Sequence, residues 1–463
     1  MAGAHVTRRL EWVCSDLHDR LGRQRMQPHI PPPEAPPGNA AHAAANNVVI
    51  IGAGIIGACV ASYLQRDGRQ VTLIDHAEPG SGASLGNGGM LSGSSIIPVA
   101  MPGVAAKVPG WLLDPQGPLT IRWSYLPALA PWLLRFLASA KPDKVEAQAA
   151  ALRALLAPSL NNYASIVQEA NATHLIHQQG TLYVYGSEQS FRHDQRNTDI
   201  RQRNGVVIED VIGAELRALE PDLAPQFTHA RLVRANGHVS DPRGLVEALT
   251  AHAVKRGATL VRERVTGFED NGAGVSAVVT ETGRHAAAHV VLACGAWSKP
   301  LAAQLGDRVP LDTERGYHVI VKNPEKGPRT PTLYVDGNFG ATPMDMGLRI
   351  IGTVELAGLN APPNWARANV LLDKAQALYP GLADGLASDS DDSRLTRWLG
   401  FRPSMPDSLP VIGASSRFAN AWHAFGHGHV GMCAGSTTGR VIADLIAGRT
   451  PCVPVAPFSP QRF

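Results

Sequence analysis

The chain has 463 residues, enough for two or three domains each with its own core. It is 44% hydrophobic and 17% charged with a formal net charge of +3, a balance that excludes an extended disordered chain. No basic block or aromatic-interleaved basic stripe is present, so nucleic acid is not expected as a partner.

Residues Met1 to Asn46 differ from the rest. Leu10, Val13, Leu17 and Leu21 fit one side of a short helix flanked by arginines, and Pro28 to Ala45 reads as a linker. Glu11, Asp16 and Asp19 argue against an organelle transit peptide, which is poor in acids, and no secretory signal pattern is present. Five cysteines, Cys14, Cys59, Cys294, Cys433 and Cys452, show no metal or disulfide spacing. The expected compartment is therefore the reducing cytoplasm, and no metal is expected.

The stretch from Asn47 to Asp75 organises the chain. Val48 to Ile51 is an apolar, β-branched run that predicts a buried parallel strand. Gly52, Gly54 and Gly57 then form G-x-G-x-x-G. The first allows a tight turn, the second a close approach of diphosphate to backbone, and the third close packing of helix on strand. The helix expected over Ile55 to Asp67 would point its N-terminal N–H groups at that diphosphate, and Gly68 would end it. A second strand, Gln70 to Ile74, delivers Asp75, whose carboxylate can accept from both ribose hydroxyls of an adenosine. The glycine-rich loop Gly80 to Leu91 is placed against the same cofactor, with Ser84 and Asn87 as polar contacts.

Residues Met101 to Ala140 carry Trp111, Trp123 and Trp132 among large apolar groups. Such density fits a lid or packed subdomain, and leaves open peripheral contact with the inner face of a membrane. Helices are expected within Lys141 to Ala172 and a strand at Thr181 to Tyr185. Asp241-Pro242 opens a helix running to about Arg256, since aspartate suits the cap and proline the first turn. Strands follow at Thr259 to Glu263, Val275 to Thr280 and His289 to Ala293. Then VLACGAWS, Val291 to Ser298, returns the chain to the first sheet. The cofactor domain is therefore expected to be discontinuous. A second sheet is read from Gly316 to Val321, Thr332 to Val335 and Leu348 to Thr353 by period-two alternation, and a helix from Ala366 to Leu378 follows. Strand, glycine turn and helix recur in AFGHGHVGMCAGSTTGRVIADLIAG.

Taken in order, VVIIGAGIIGACVASYL, ASLGNGG, ERGYH (Glu314 to His318), GLRIIGT (Gly347 to Thr353), GFRPSMPDSLPVIG (Gly400 to Gly413) and GHGHVGM (Gly426 to Met432) resemble the FAD-dependent D-amino-acid dehydrogenase and glycine oxidase family of flavoproteins. The resemblance covers Val48 to about Thr450. It implies an α/β fold, with a Rossmann-like FAD-binding domain on a parallel sheet and a substrate domain on a mostly antiparallel sheet. The implied segments are 47–98, 232–306 and 396–457 for the first domain, and 99–231 and 307–395 for the second.

By position, Arg349 resembles the arginine that grips the substrate carboxylate and Arg402 a second arginine near flavin and substrate; a guanidinium fork suits a carboxylate. Tyr317 and His318 are expected to line the pocket. Val265, Gly295, Gly428, His429 and Gly431 complete the cofactor set, with FAD bound non-covalently. His427 and His429 are equally readable as acid/base groups or as packing positions. The implied reaction is oxidative deamination of a D-amino acid to a 2-oxo acid and ammonia, with electrons passed to a quinone or another electron-transfer partner. The alternatives are an oxygen-dependent oxidase of glycine, sarcosine or cyclic secondary amino acids, and a non-catalytic flavin-binding subunit.

Overall fold

Asn47–Ile51 (β1) sends its side chains alternately into two cores, which is why its apolar run is continuous. Val48 and Ile50 pack with the helix Ile55–Arg66 (α1), while Val49 and Ile51 join Val275, Val278 and Val290 on the other face. In this computed structural model residues 46–114, 117–384 and 393–463 are described. The N-terminal helix and linker read from residues 1–45 lie outside them.

The six-stranded first sheet runs Thr259–Val261, Gln70–Ile74, β1, His289–Leu292, Ala421–Phe425, Val411–Ala414. Its first five strands are mutually parallel and the last is antiparallel. α1 crosses the helix Gly431–Ile446 so closely that a Cβ at Gly439 would meet the Cys59 backbone carbon at 2.7 Å. This small-residue contact locks the two helices together. Both N-termini then open at the same end of the sheet, beyond the C-terminal ends of its parallel strands, where α/β folds place their ligands.

The second sheet has nine strands among the described residues. Its sequence-predicted members are present as Asp312–Val321, Gly347–Leu356 and Thr332–Tyr334, joined by Thr181–Tyr185 and His229–Val233. Five of the nine were not anticipated: Leu119–Ile121, Glu209–Ile212, His229–Val233, Phe339–Met344 and Leu395–Ser404. Phe339–Met344 contains Gly340 and Pro343, poor strand formers, yet it is held between Thr332–Tyr334 and Gly347–Leu356. Leu395–Ser404 pairs along its full length with Asp312–Val321, so this stretch, expected with the cofactor segment, belongs to the second sheet. One face of the sheet carries the helix Ala366–Leu378, against which Tyr317, Val319 and Ile350 are buried. Across the other face the register sets Trp398, His318, Ile351, Gly340, Leu333 and Tyr183 in one row.

Candidate active site

A cavity of about 1000 Å³ lies between the first sheet's ligand end and that row of the second sheet. At one end it is bordered by Gly52, Gly54, Asp75 and Val265. Asp75 is held rigidly: Oδ2 accepts from Ala53 N at 2.8 Å and Oδ1 from Ala77 N at 3.0 Å. Gly57 lies behind this wall. A Cβ there would overlap the carbonyl oxygen of Gly52, so only glycine lets α1 start this close to the turn. Gly52 itself has φ +111° and its Cβ would fall 2.5 Å from the Ala293 oxygen. The absence of side chains at these positions leaves a cradle of backbone N–H groups at a helix N-terminus, which suits a diphosphate.

The glycine-rich loop continues the wall. Ser84 Oγ accepts from Ile55 N at 3.0 Å, which satisfies the helix end and leaves its O–H free to donate. Asn87 Oδ1 accepts from Gly89 N at 2.8 Å and shapes the loop. Opposite it stand Gly295, Gly428, His429 and Gly431, all bordering the cavity, with the first turn of Gly431–Ile446 facing inward. That turn can stabilise negative charge. The residues fit FAD: a cavity of about 1000 Å³, a backbone cradle, a fixed carboxylate and a second helix N-terminus.

Four predicted substrate residues sort differently. Arg402 borders the cavity; its guanidinium lies over Gly316, where any Cβ would collide with it, and donates to Thr353 O at 3.2 Å. Burial lowers its pKa, and Glu314 opposes that. Arg349 stands one layer behind the wall. The loop covers it, and its Nη1 donates to the Asn87 carbonyl at 2.6 Å. It is 1% exposed, and burial brings its pKa down to about 10 against the opposing field of Asp241. Tyr317 and His318 are neighbours on one strand and so point to opposite faces. Tyr317 borders the cavity, but its hydroxyl is turned away, donating to Glu355 Oε2 at 2.6 Å and accepting from Asn364 N at 2.8 Å. His318 faces the loop, with Nδ1 3.2 Å from Gly86 O and its ring stacked 5.0 Å from Trp398. Burial and the nearby Arg349 and Arg402 push its pKa down to about 3, so it is neutral at physiological pH.

His427 is also neutral, its pKa lowered to about 3 by burial and its Nε2 3.0 Å from Thr438 Oγ1. His429 is different. Its Nε2 is 2.6 Å from Glu314 Oε2, its side chain is 41% exposed, and it borders the cavity. Sequence reasoning assigned no role to Glu314, although a carboxylate inside an otherwise buried strand is a signal in itself, since its charge needs partners. Trp398 and Arg201, which also border the cavity, gave no local signal; Arg201 is brought there by the stacking of its guanidinium 4.8 Å over Tyr183.

Residues 47–445 match the family described as FAD dependent oxidoreductase (DAO). The chain is 45% identical to a D-amino-acid oxidase of Bradyrhizobium diazoefficiens, over 90% of this chain and 99% of the relative. It is 32% identical to a D-amino acid dehydrogenase of Paramagnetospirillum magneticum, over 90% and 98%. Its fold is similar to that of glycine oxidase from Geobacillus kaustophilus, with a TM-score of 0.67 at 22% identity, covering 90% of this chain and 99% of that one.

Proposed function

Because the chain belongs to the FAD dependent oxidoreductase (DAO) family, we propose that it oxidatively deaminates D-amino acids to 2-oxo acids and ammonia. The observation that carries this reading is one cavity with a nucleotide cradle at one end and the Arg402 guanidinium in its wall. FAD, held non-covalently, supplies the two-electron acceptor toward which the substrate's α-hydrogen leaves as hydride. The protein's part is positioning: Arg402 holds the α-carboxylate and fixes the α-carbon, while the sheet floor keeps water away from the imine until release. The substrate names of the two relatives point the same way. The test is anaerobic: D-amino acids, L-amino acids, glycine and sarcosine are added singly to the holoenzyme while flavin absorbance is followed. Bleaching by D-amino acids alone supports the reading; bleaching by none of the panel removes it.

Arg349, in this reading, serves the loop. Its charge-assisted bond to the Asn87 carbonyl holds the glycine-rich segment against the cofactor. Arg349→Ala is expected to cost about 1.5–3 kcal/mol, roughly 10- to 150-fold in FAD affinity, with KM for the amino acid little changed. FAD titration of the apoprotein beside steady-state kinetics checks this.

The electron acceptor is a membrane quinone in the reading we favour. Trp123 and Leu134 are each 70% exposed, near Leu137 and the exposed Arg122 and Arg135. The adjoining strand Leu119–Ile121 pairs with Gly347–Leu356, whose Ile351 and Val354 border the cavity. An apolar, arginine-flanked surface there would bring an anionic bilayer near the site. No helix among the described residues is long and apolar enough to cross a membrane. Molecular oxygen is the second reading, favoured by the name of the 45% identical relative. Turnover with a soluble quinone analogue against turnover in oxygen, with sedimentation on anionic vesicles, separates the two.

A further inference from the structure

We infer that His429 is the proton acceptor for the substrate's ammonium group and that Glu314 is the positioning residue that orients it. This rests on the amino-acid reading above.

Glu314 and Arg402 face each other in register on adjacent strands, and Ser404 follows two residues along. Both carboxylate oxygens of Glu314 are engaged: Oε1 accepts from Ser404 Oγ at 2.5 Å and Oε2 lies 2.6 Å from His429 Nε2. Burial would raise the pKa of this carboxyl, but His429, Ser404 and Arg402 outweigh it and hold it at about 2. An anionic partner on Nε2 selects the tautomer with its proton there. Nδ1 then carries the lone pair. It has no protein partner among the described residues and belongs to a half-exposed ring on the cavity wall. A base oriented by a buried carboxylate, with its second nitrogen unengaged and its ring on the cavity wall, is the arrangement required of a general base.

The reaction needs such a group. An α-amino acid arrives as an ammonium ion, whose nitrogen has no lone pair to form the C=N bond. Arg402 lies in register with Glu314, which holds His429, so a substrate whose carboxylate is on Arg402 is bound on the same stretch of wall as the Glu314–His429 pair. In the step, one N–H bond of the ammonium breaks and an N–H bond forms at Nδ1. The electron pair stays on the substrate nitrogen, and no oxidant is consumed. The charged and titratable groups around His429 are Glu314 and Arg402 from the neighbouring strands and His427 in its own turn. Farther along Glu314's strand is Asp312, bonded by the Tyr125 hydroxyl at 2.9 Å. His427 is neutral and tied to Thr438, so it does not compete for the proton.

The experiment is the pH dependence of the rate of anaerobic flavin bleaching by a D-amino acid, in holoenzyme carrying His429→Gln or Glu314→Gln, with FAD content measured in each. A general base is worth roughly a hundredfold or more. His429→Gln should therefore lose about that factor at pH 7, and recover to within about tenfold of wild type near pH 10, where the substrate deprotonates in solution. Glu314→Gln, which leaves the imidazole without its anionic anchor, should lower the pH 7 rate by roughly tenfold or more and, like His429→Gln, recover toward wild type near pH 10. ¹⁵N-histidine NMR spectra should show His429 protonated on Nε2 in the wild type and a mixture of tautomers in Glu314→Gln. A purely structural pair would give equal losses at every pH. Equal losses, or an unchanged rate at pH 7, overturn the inference, and if His429→Gln fails to retain FAD the Glu314→Gln pH profile and the His429 tautomer decide. Failure of every D-amino acid to bleach the wild type would instead overturn the substrate reading.

Discussion

Gly57→Ala should give a protein that is both less stable and nearly colourless. The new methyl would overlap the Gly52 carbonyl oxygen, and that carbonyl has nowhere to go. Gly52 N is bonded to Ile74 O at 2.8 Å, and the residue's other side is already against Ala293. Relief therefore requires α1 to move off the sheet, which drags its N-terminus away from the diphosphate position. Overpacking of this kind costs about 1–3 kcal/mol, seen as a lowered Tm of the apoprotein, and the displaced helix N-terminus weakens FAD binding in addition. Gly54→Ala is the informative companion. Its Cβ would meet only Ser84 Oγ at 3.4 Å in the described structure, so its apoprotein should melt normally while FAD affinity still falls, because the methyl occupies cofactor space. Flavin-to-protein absorbance ratios, FAD titrations and apoprotein melting curves for the two variants check this. Equal melting temperatures in Gly57→Ala and wild type would refute the packing account.

The second large effect is expected at Arg402. Removing one partner of a desolvated charge pair typically costs about 2–5 kcal/mol, so Arg402→Ala should reduce kcat/KM for a D-amino acid by roughly 30- to several-thousandfold. FAD content should be retained, since the guanidinium's protein contacts are Thr353 O and the field of Glu314, both in the second sheet. Arg402→Lys should recover little, because an ammonium cannot reproduce the two-pronged grip of a guanidinium on a carboxylate. The control is the decarboxylated amine of the same substrate. If its turnover falls by the same factor as that of the amino acid, Arg402 supports the fold of the wall and the carboxylate is held elsewhere.

The two arginines show what a motif carries. Both sit in strand motifs of similar character, GLRIIGT and GFRPS, and local pattern does not distinguish them. The difference lies in what covers each one: the glycine-rich loop, some 260 residues earlier in the chain, lies over Arg349 and takes its Nη1, whereas glycine at 316 clears a place for Arg402 on the cavity side. Tyr317 and His318 could have been separated in advance, since a strand with period two sends adjacent side chains to opposite faces.

Local chemistry by itself determined the nucleotide half of the proposed site. The turn after β1, the helix start and the acid after the second strand need particular backbone angles and clearances. Those requirements fall on single residues, Gly52, Gly54, Gly57 and Asp75, at fixed spacing, so they are written in the sequence. The helix start at Pro242, capped by Asp241, was legible for the same reason. Only the tertiary structure decided the half proposed to hold the substrate. The Glu314–His429 pair joins residues 115 apart, and the cavity wall mixes Arg402 with Trp398 and Arg201 from separate elements. Such proximity depends on strand register and on which layer covers a side chain, and these follow from long-range packing, of which one strand's pattern carries no record.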